Sequence, residues 1–143
     1  MKISTRGRYG IKAMVDLAIN SKDNKCVSLK SIAQRQGIPE NYLEQLVAIL
    51  KKADVIKSIR GVQGGYILNR PPEDISVGDL LKILEGSLAL VDCVENKPPK
   101  NKKKCGTANC EECVVRGAWE IISEKLVETA NSITLADLTR NIN

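Results

Sequence analysis

Residues 29–46 read LKSIAQRQGIPENYLEQL, and this stretch decides the fold. Apolar residues recur at helical spacing on both sides of Gly37, and Ser28 stands where an amino-terminal cap is expected. The stretch predicts a short helix over about residues 29–36, a tight turn at the glycine, and a longer helix over about residues 40–53. In a helix-turn-helix of this kind the second helix enters the DNA major groove, although any helical hairpin would give the same apolar pattern.

A β-hairpin is predicted directly after these helices. Residues 55–60, VIKSIR, alternate apolar and polar side chains, and residues 66–68, YIL, form a second apolar run. The glycine-rich segment 61–65, GVQGG, joins them, but it has neither the GxGxxG spacing nor the Lys-Ser/Thr pair of a nucleotide-binding loop. A hairpin in this position is a wing, and we expect Arg60 and Gln63 at its tip to reach a DNA groove.

The remaining periodicity predicts a mainly α-helical chain with a small β-hairpin wing. Further helices are expected over about residues 6–21, 77–86 and 114–131, followed by a short helix that Thr134 caps. We expect three regions. They are a winged helix-turn-helix domain over residues 1–86, a cysteine-bearing linker loop over residues 87–113, and a dimerisation helix with a carboxy-terminal helix over residues 114–143.

The long helix near the carboxyl end carries an apolar stripe. It is formed by Val115, Trp119, Ile122, Leu126, Ala130 and Ile133. Such a stripe suits a seam between two helices. Because the winged domain already has helices for its own core, we expect this helix to form a homodimer, with packing on its own domain as the alternative.

Composition excludes several classes of protein. The chain has 143 residues, a net charge of +5 and no histidine, so catalytic triads and metal sites that need histidine are excluded. Residues 1–60 carry 12 Lys and Arg against 5 Asp and Glu, a net charge of +7, which places any polyanion-binding surface there. No apolar run approaches the length of a membrane span, so we expect a cytoplasmic protein without a membrane partner.

Four cysteines form the chemical signal of the sequence. Cys93, Cys105, Cys110 and Cys113 follow the spacing C-x11-C-x4-C-x2-C, and thiolates are good ligands for zinc and for iron–sulfur clusters. A single CxxC falls short of the usual zinc pattern, so a metal or cluster, a redox switch and no special role all stay open. Cys26 stands alone and is interpreted as an ordinary thiol.

Several motifs together resemble the Rrf2 (Rrf-two) family of bacterial transcription regulators. They are MKISTRGRYG at 1–10, SIA at 31–33, YLEQL at 42–46, RG at 60–61 with GGY at 64–66, and Leu135 with Leu138. The resemblance covers nearly the whole chain. It implies a homodimeric winged helix-turn-helix regulator, a repressor rather than an enzyme, that binds a palindromic operator in double-stranded DNA.

The resemblance also implies the site residues. In cluster-binding members three linker cysteines hold a 2Fe–2S cluster; Cys93 matches the first, Cys113 the third, and Cys105 or Cys110 the second. The fourth-ligand positions of such members fall here on arginines, so the extra cysteine would complete an all-cysteine site. Glu44 is the expected base-discriminating side chain, since a carboxylate accepts from a cytosine amino group. The full set of candidate DNA contacts is Lys2, Arg6, Arg8, Ser28, Asn41, Tyr42, Glu44, Gln45, Arg60 and Gln63.

Two alternatives stay open beside the cluster. Some members of the family repress cysteine metabolism under control of a partner enzyme, which would imply a cysteine-biosynthesis enzyme as partner, thiol redox control, and zinc or no metal. A thiol–disulfide enzyme built on Cys110 and Cys113 would need a βαβ setting, which the sequence does not predict.

Overall fold

The structure, a computed structural model, describes residues 2–95 and 113–140. The helices in these ranges are α1 (Thr5–Asn20), α2 (Leu29–Gln36), α3 (Glu40–Lys52), α4 (Val77–Glu85), α5 (Asp92–Glu95), α6 (Arg116–Ser132) and α7 (Leu135–Arg140). The strands are β1 (Ile56–Ile59) and β2 (Gly65–Leu68), and short 3-10 turns cover Lys22–Asn24 and Pro72–Asp74. The predicted mainly helical fold with a hairpin wing is confirmed.

Serine side chains begin three of the helices. The Ser4 and Ser28 hydroxyls accept from the backbone N–H of Gly7 and of Ser31, at 3.3 and 3.2 Å. Ser76 forms a reciprocal capping box with Asp79 at the start of α4. These caps satisfy N–H groups that have no partner inside the helix, so the polar positions of the sequence fix where each helix begins.

The wing is an antiparallel hairpin attached to the helical part by a third short backbone pairing. Its register pairs Ile56 with Leu68 at the base and Ile59 with Gly65 near the tip. Val27, just before α2, exchanges two backbone hydrogen bonds with Tyr66 at 2.9 and 2.8 Å. The wing is therefore tied to the segment that leads into the helix-turn-helix.

An aliphatic core joins α1, α2, α3, α4 and α7 beneath the wing. Its largest fully buried side chains are Met14, Ile32, Leu43, Leu46, Leu50, Val55, Ile75, Leu80, Leu84 and Leu135. α1 packs against the helix-turn-helix, the wing and α4. This arrangement holds α2 and α3 in a fixed relation to the rest of the protein.

The carboxy-terminal end of the described chain closes back onto the base of α4. Leu135 N–H donates to the Ile75 carbonyl at 2.7 Å, and Val77 N–H donates to the Ile133 carbonyl at 2.8 Å. Thr134 caps α7 as predicted: its hydroxyl accepts from Asp137 N–H, and the Asp137 carboxylate accepts from Thr134 N–H. Hydrogen bonds from Thr134 to the carboxylate, the one from its backbone N–H first and the one from its side chain second, hold the pKa of Asp137 below its usual value.

α6 differs from its prediction in its start and in the face it uses inside the chain. It begins at Arg116 rather than at residue 114, and Val115 at the cap position makes no side-chain hydrogen bond to the helix. Its inner face is polar: Ser123 is buried, and Asn131 lies so close to Gly78 of α4 that a Cβ there would stand 1.9 Å from its side-chain oxygen. A stripe analysis of apolar residues could not predict this contact.

Candidate nucleic-acid interface and cysteine-bearing segment

The candidate recognition helix is α3, which follows a left-handed turn. Gly37 ends α2 with φ of 64°, a conformation in which most side chains are strained. Leu43 and Leu46 anchor one face of α3 in the core. The opposite face leaves three predicted contacts, Asn41, Glu44 and Gln45, exposed in its first two turns.

The amino-terminal part of α1 meets α3 beside this face. The Tyr9 and Tyr42 rings pack edge to face with centroids 6.0 Å apart. Tyr42, half-buried, also lines a cavity of about 390 Å³ together with Arg6. The structure therefore brings two predicted DNA contacts, Arg6 and Tyr42, to one place.

The wing brings a second pair of predicted contacts together. Gln63 near its tip and Ser28 at the start of α2 line one cavity of about 630 Å³. Arg60 is exposed at the end of β1. Within residues 2–95 and 113–140, no hydrogen bond joins Lys2, Arg8 or Arg60 to α3, and Arg8 donates instead to the Thr5 hydroxyl at 3.4 Å.

A buried carboxylate fixes α2 on α1, and the sequence analysis missed it. Asp16 is 2% exposed and accepts from Arg35 through Nε at 2.9 Å and Nη2 at 2.7 Å. Gln36 and Asn20 donate to the same carboxylate at 2.9 and 3.3 Å. The bond to Asp16 raises the pKa of Arg35. A charged residue flanked by Leu17 and other apolar residues of α1 was the signal that could have revealed this clamp.

A second carboxylate joins the start of the linker to the start of α1. Glu85, the last residue of α4, accepts from the backbone N–H of Ser4 and of Gly7 at 3.0 and 3.1 Å, and from the Ser4 hydroxyl. A Cβ on Gly7 would lie 2.2 Å from the same oxygen, so glycine is needed for the approach. The amino-terminal segment that carries Arg6 is thus held by the residue that precedes the linker.

Two of the four candidate metal ligands lie among the described residues. Cys93 is in α5, which packs on α6, and Cys113 lies three residues before α6; both are half-buried. Their near neighbours Val94 and Arg116 line the same cavity, of about 1000 Å³, between α4 and α6. The other two predicted ligands, Cys105 and Cys110, fall outside the described residues.

The linker is attached to α6 by a buried hydroxyl. Leu90 N–H donates to the Ser123 hydroxyl at 3.2 Å, and Ser123 is 5% exposed. Arg116 donates through Nε to Glu120 at 3.0 Å. Among residues 2–95 and 113–140, no group of three cysteine or carboxylate side chains is arranged to hold a metal, and no helix is long and apolar enough to cross a membrane.

Comparisons with known proteins agree with this geometry. The family model described as "Rrf2: Iron-dependent Transcriptional regulator" matches residues 3–141. The chain is 40% identical over 138 residues to the HTH-type transcriptional regulator CymR of Bacillus subtilis. The matched residues cover 96% of this chain and 89% of that relative. The structure of T. potens IscR is similar with a TM-score of 0.78, 43% identity, and coverage of 100% of this chain and 89% of that one.

A second similar structure is that of B. subtilis CymR (YrzC), described as the global cysteine regulator, with a TM-score of 0.77 and 38% identity. The matched residues cover 100% of this chain and 99% of the CymR chain. The relatives are named as transcriptional regulators, in agreement with the prediction that the chain is not an enzyme. The chain therefore belongs to the Rrf2 family of transcriptional regulators.

Proposed function

We propose that the chain is a cytoplasmic, homodimeric repressor that binds a palindromic operator and whose linker cysteines hold an iron–sulfur cluster. The observation that carries the DNA-binding part is the exposed polar face of α3, with Asn41, Glu44 and Gln45, between the start of α1 and the wing. Glu44 accepts from a cytosine amino group, while amide side chains pair with adenine edges. The net charge of +7 over residues 1–60 supplies attraction to phosphate.

The contacts to the DNA backbone fall to the segments on each side of α3. Arg6 lies beside Tyr42 at the start of α1, and Lys2 and Arg8 are exposed on the same segment. Ser28 begins α2, whose amino terminus favours a phosphate. Arg60 and Gln63 on the wing complete the set by reaching into the adjacent minor groove.

The second copy is proposed to pack on the outer stripe of α6. Four of the six stripe residues are exposed, namely Val115, Trp119, Ile122 and Ile133. The inner face of α6 is already used by Ser123 and Asn131 against the linker and α4, so the stripe is left without a partner inside the described chain. Two copies would present two α3 helices to half-sites about 34 Å apart, one turn of B-DNA.

The donor set suits an iron–sulfur cluster. Cys93 and Cys113 come before and after Cys105 and Cys110 in the sequence, and Val94 and Arg116, their near neighbours, line one cavity. Arg116 cannot act as a ligand, so all four cysteines would be needed to supply the four thiolates of an all-cysteine 2Fe–2S site. When bound, such a cluster supplies a centre that responds to iron supply or oxidants.

The chain's own residues would transmit the state of the linker. Ser123 holds Leu90, three residues before Cys93, on the candidate dimer helix. Glu85, two residues before the linker, holds the start of α1, where Arg6 lies. A rearranged linker therefore alters both the dimer helix and an element that contacts DNA.

The experiment begins with anaerobically purified protein. Its visible spectrum, iron and sulfide are measured, and operators are selected from random duplexes. Holo and apo affinities are then compared by fluorescence anisotropy at one salt concentration. We expect charge-transfer bands, a change of affinity on cluster removal, and loss of the cluster in Cys93→Ala and Cys113→Ala but not in the matched control Cys26→Ala. Equal holo and apo affinities for every selected operator would refute the coupling, and iron-free protein would refute the cluster.

A second candidate function is regulation of cysteine metabolism through a partner enzyme. The CymR relative, 40% identical over nearly the whole chain, favours it. Colourless, iron-free protein whose operator affinity changes on addition of a cysteine-biosynthesis enzyme would support this candidate. Zinc content and thiol redox state are measured on the same sample.

A further inference from the structure

Exposed apolar side chains fall in three parts of the described chain. Most belong to α6 and its borders, where the second copy is proposed, and Ile3 lies at the amino terminus. The wing carries the other two, Ile59 and Val62. Val62 has 107% of its reference exposure, more than any other large apolar residue of the described ranges. Nothing in the described part of the chain covers this side chain.

The turn that carries Val62 is defined by a backbone hydrogen bond and two glycines. Gly64 N–H donates to the Gly61 carbonyl at 3.0 Å and closes the turn. A Cβ on Gly64 would lie 2.3 Å from the Ile59 carbonyl oxygen, and Gly61 has φ of 128°. Both glycines are therefore needed for this backbone, which leaves Val62 at the tip of the wing.

Val62 stands between two residues that the proposed function assigns to DNA. Arg60 precedes it by two positions and Gln63 follows it. The charged group of Arg60 and the amide of Gln63 contact phosphates and base edges and respond to the electrostatic potential of the groove. These polar groups gain no free energy by covering the C–H surface of the deoxyriboses. A valine in the same groove gains free energy when that surface covers it.

We infer that Val62 is a specificity-determining residue that packs against the deoxyribose walls of the minor groove beneath the wing. The inference rests on the proposed DNA-binding function and deepens it. In a narrow groove, typical of A·T tracts, both walls lie within contact of one small side chain, whereas a wider groove offers one wall. Val62 therefore favours operators with A·T pairs beneath the wing, without a hydrogen bond to any base.

The test uses the full chain and two forms of a selected operator. Hydroxyl-radical footprinting locates the base pairs beneath the wing, which are A·T in one duplex and G·C in the other. For Val62→Ala, affinity for the A·T duplex should fall about fivefold to tenfold, and affinity for the G·C duplex by less than about twofold. The nearly isosteric Val62→Thr should also lose more affinity for the A·T duplex than for the G·C duplex, but by a smaller factor than Val62→Ala.

Salt dependence separates this contact from a charge contact. Val62→Ala should leave the slope of log K against log salt unchanged, whereas Arg60→Ala should reduce it by about 0.9. Glu73→Gln is the control, because Glu73 is exposed in the Pro72–Asp74 turn and belongs neither to the proposed DNA contacts nor to the proposed dimer helix. Its preference between the two duplexes should equal that of the unsubstituted chain.

Two results would overturn the inference in distinguishable ways. If both Val62 variants bind the two duplexes like the unsubstituted chain while Arg60→Ala loses affinity, Val62 has no such role and the proposed function stands. If the unsubstituted chain binds no selected duplex, the proposed function fails with it. Thermal unfolding midpoints of the Val62 variants that equal that of the unsubstituted chain would exclude misfolding as the cause of a lost affinity. We expect equal midpoints, because the Val62 side chain is exposed and its removal leaves the core unchanged.

Discussion

Removing Arg35 is expected to destabilise the protein more than removing Asp16, its partner. In Arg35→Ala the carboxylate of Asp16 stays at 2% exposure and keeps only the bonds from Gln36 and Asn20. In Asp16→Ala the guanidinium that is left behind can turn to water, because the Arg35 side chain is already 41% exposed. An uncompensated charge costs most when it cannot reach solvent.

The two bonds from Arg35 set the magnitude. They are 2.9 and 2.7 Å long and join charged groups, for which about 1.5–3 kcal/mol each is typical. Because the arginine is partly exposed, water screens the pair, and the low end of this range applies to each of the two bonds. Arg35→Ala should therefore lower the free energy of unfolding by about 3 kcal/mol. Asp16→Ala loses all four bonds, but the donors that it releases lie on the exposed or half-buried side chains of Arg35, Gln36 and Asn20 and can turn to water, so the cost should be about 1.5 kcal/mol.

Urea unfolding at fixed protein concentration, followed by far-ultraviolet circular dichroism, measures these differences. The double variant lacking both side chains should be more stable than Arg35→Ala, since it no longer buries an unpaired charge. Lys125→Ala is the control: its ion pair with Glu128 is exposed, and the midpoint should not move. An Asp16→Ala variant as unstable as Arg35→Ala, or less stable, would refute the reasoning.

Three further outcomes are expected. Gly78→Ala should lower the free energy of unfolding by about 2 kcal/mol, because backbone as well as side-chain atoms of Asn131 block the new Cβ; an unchanged urea midpoint would contradict the α4–α6 packing. Glu85→Ala should cost about 1–2 kcal/mol and speed hydrogen exchange in the first turn of α1, which mass spectrometry detects. The lowered pKa of Asp137 stabilises the fold above its ordinary pKa, and this contribution disappears as the pH falls below about 4. The thermal midpoint of Asp137→Asn should consequently decline less steeply with acid than that of the unsubstituted chain.

The helix-turn-helix and the wing could be predicted because local signals and tertiary packing agree there. Ser28 and Gly37 mark the ends of α2, and the structure gives Leu29–Gln36, the predicted bounds. Alternation in residues 55–60 predicted β1, although the hydrogen-bonded strand is shorter. Apolar periodicity reports which face is buried, and in this part of the chain the buried face is aliphatic throughout.

The contacts that position the candidate site could not be predicted in the same way. Asp16, Glu85 and Ser123 act through hydrogen bonds to residues distant in sequence, and such pairs leave no periodic signal. α5 is a single turn, too short for a periodic pattern. Which cysteines act together also depends on how the linker returns to α6, which spacing alone does not determine.

The backbone hydrogen bond between Leu135 and Ile75 has a consequence for the order in which the chain folds during synthesis. Leu135 is fully buried in the same core as Ile75 and Leu80, so that core stays incomplete until the segment containing α7 has been synthesised. Translation adds about 5–20 residues each second, and the cysteine-bearing linker emerges before α7 does. The thiols of a nascent chain are therefore made on the order of seconds before the core of its DNA-binding half can close.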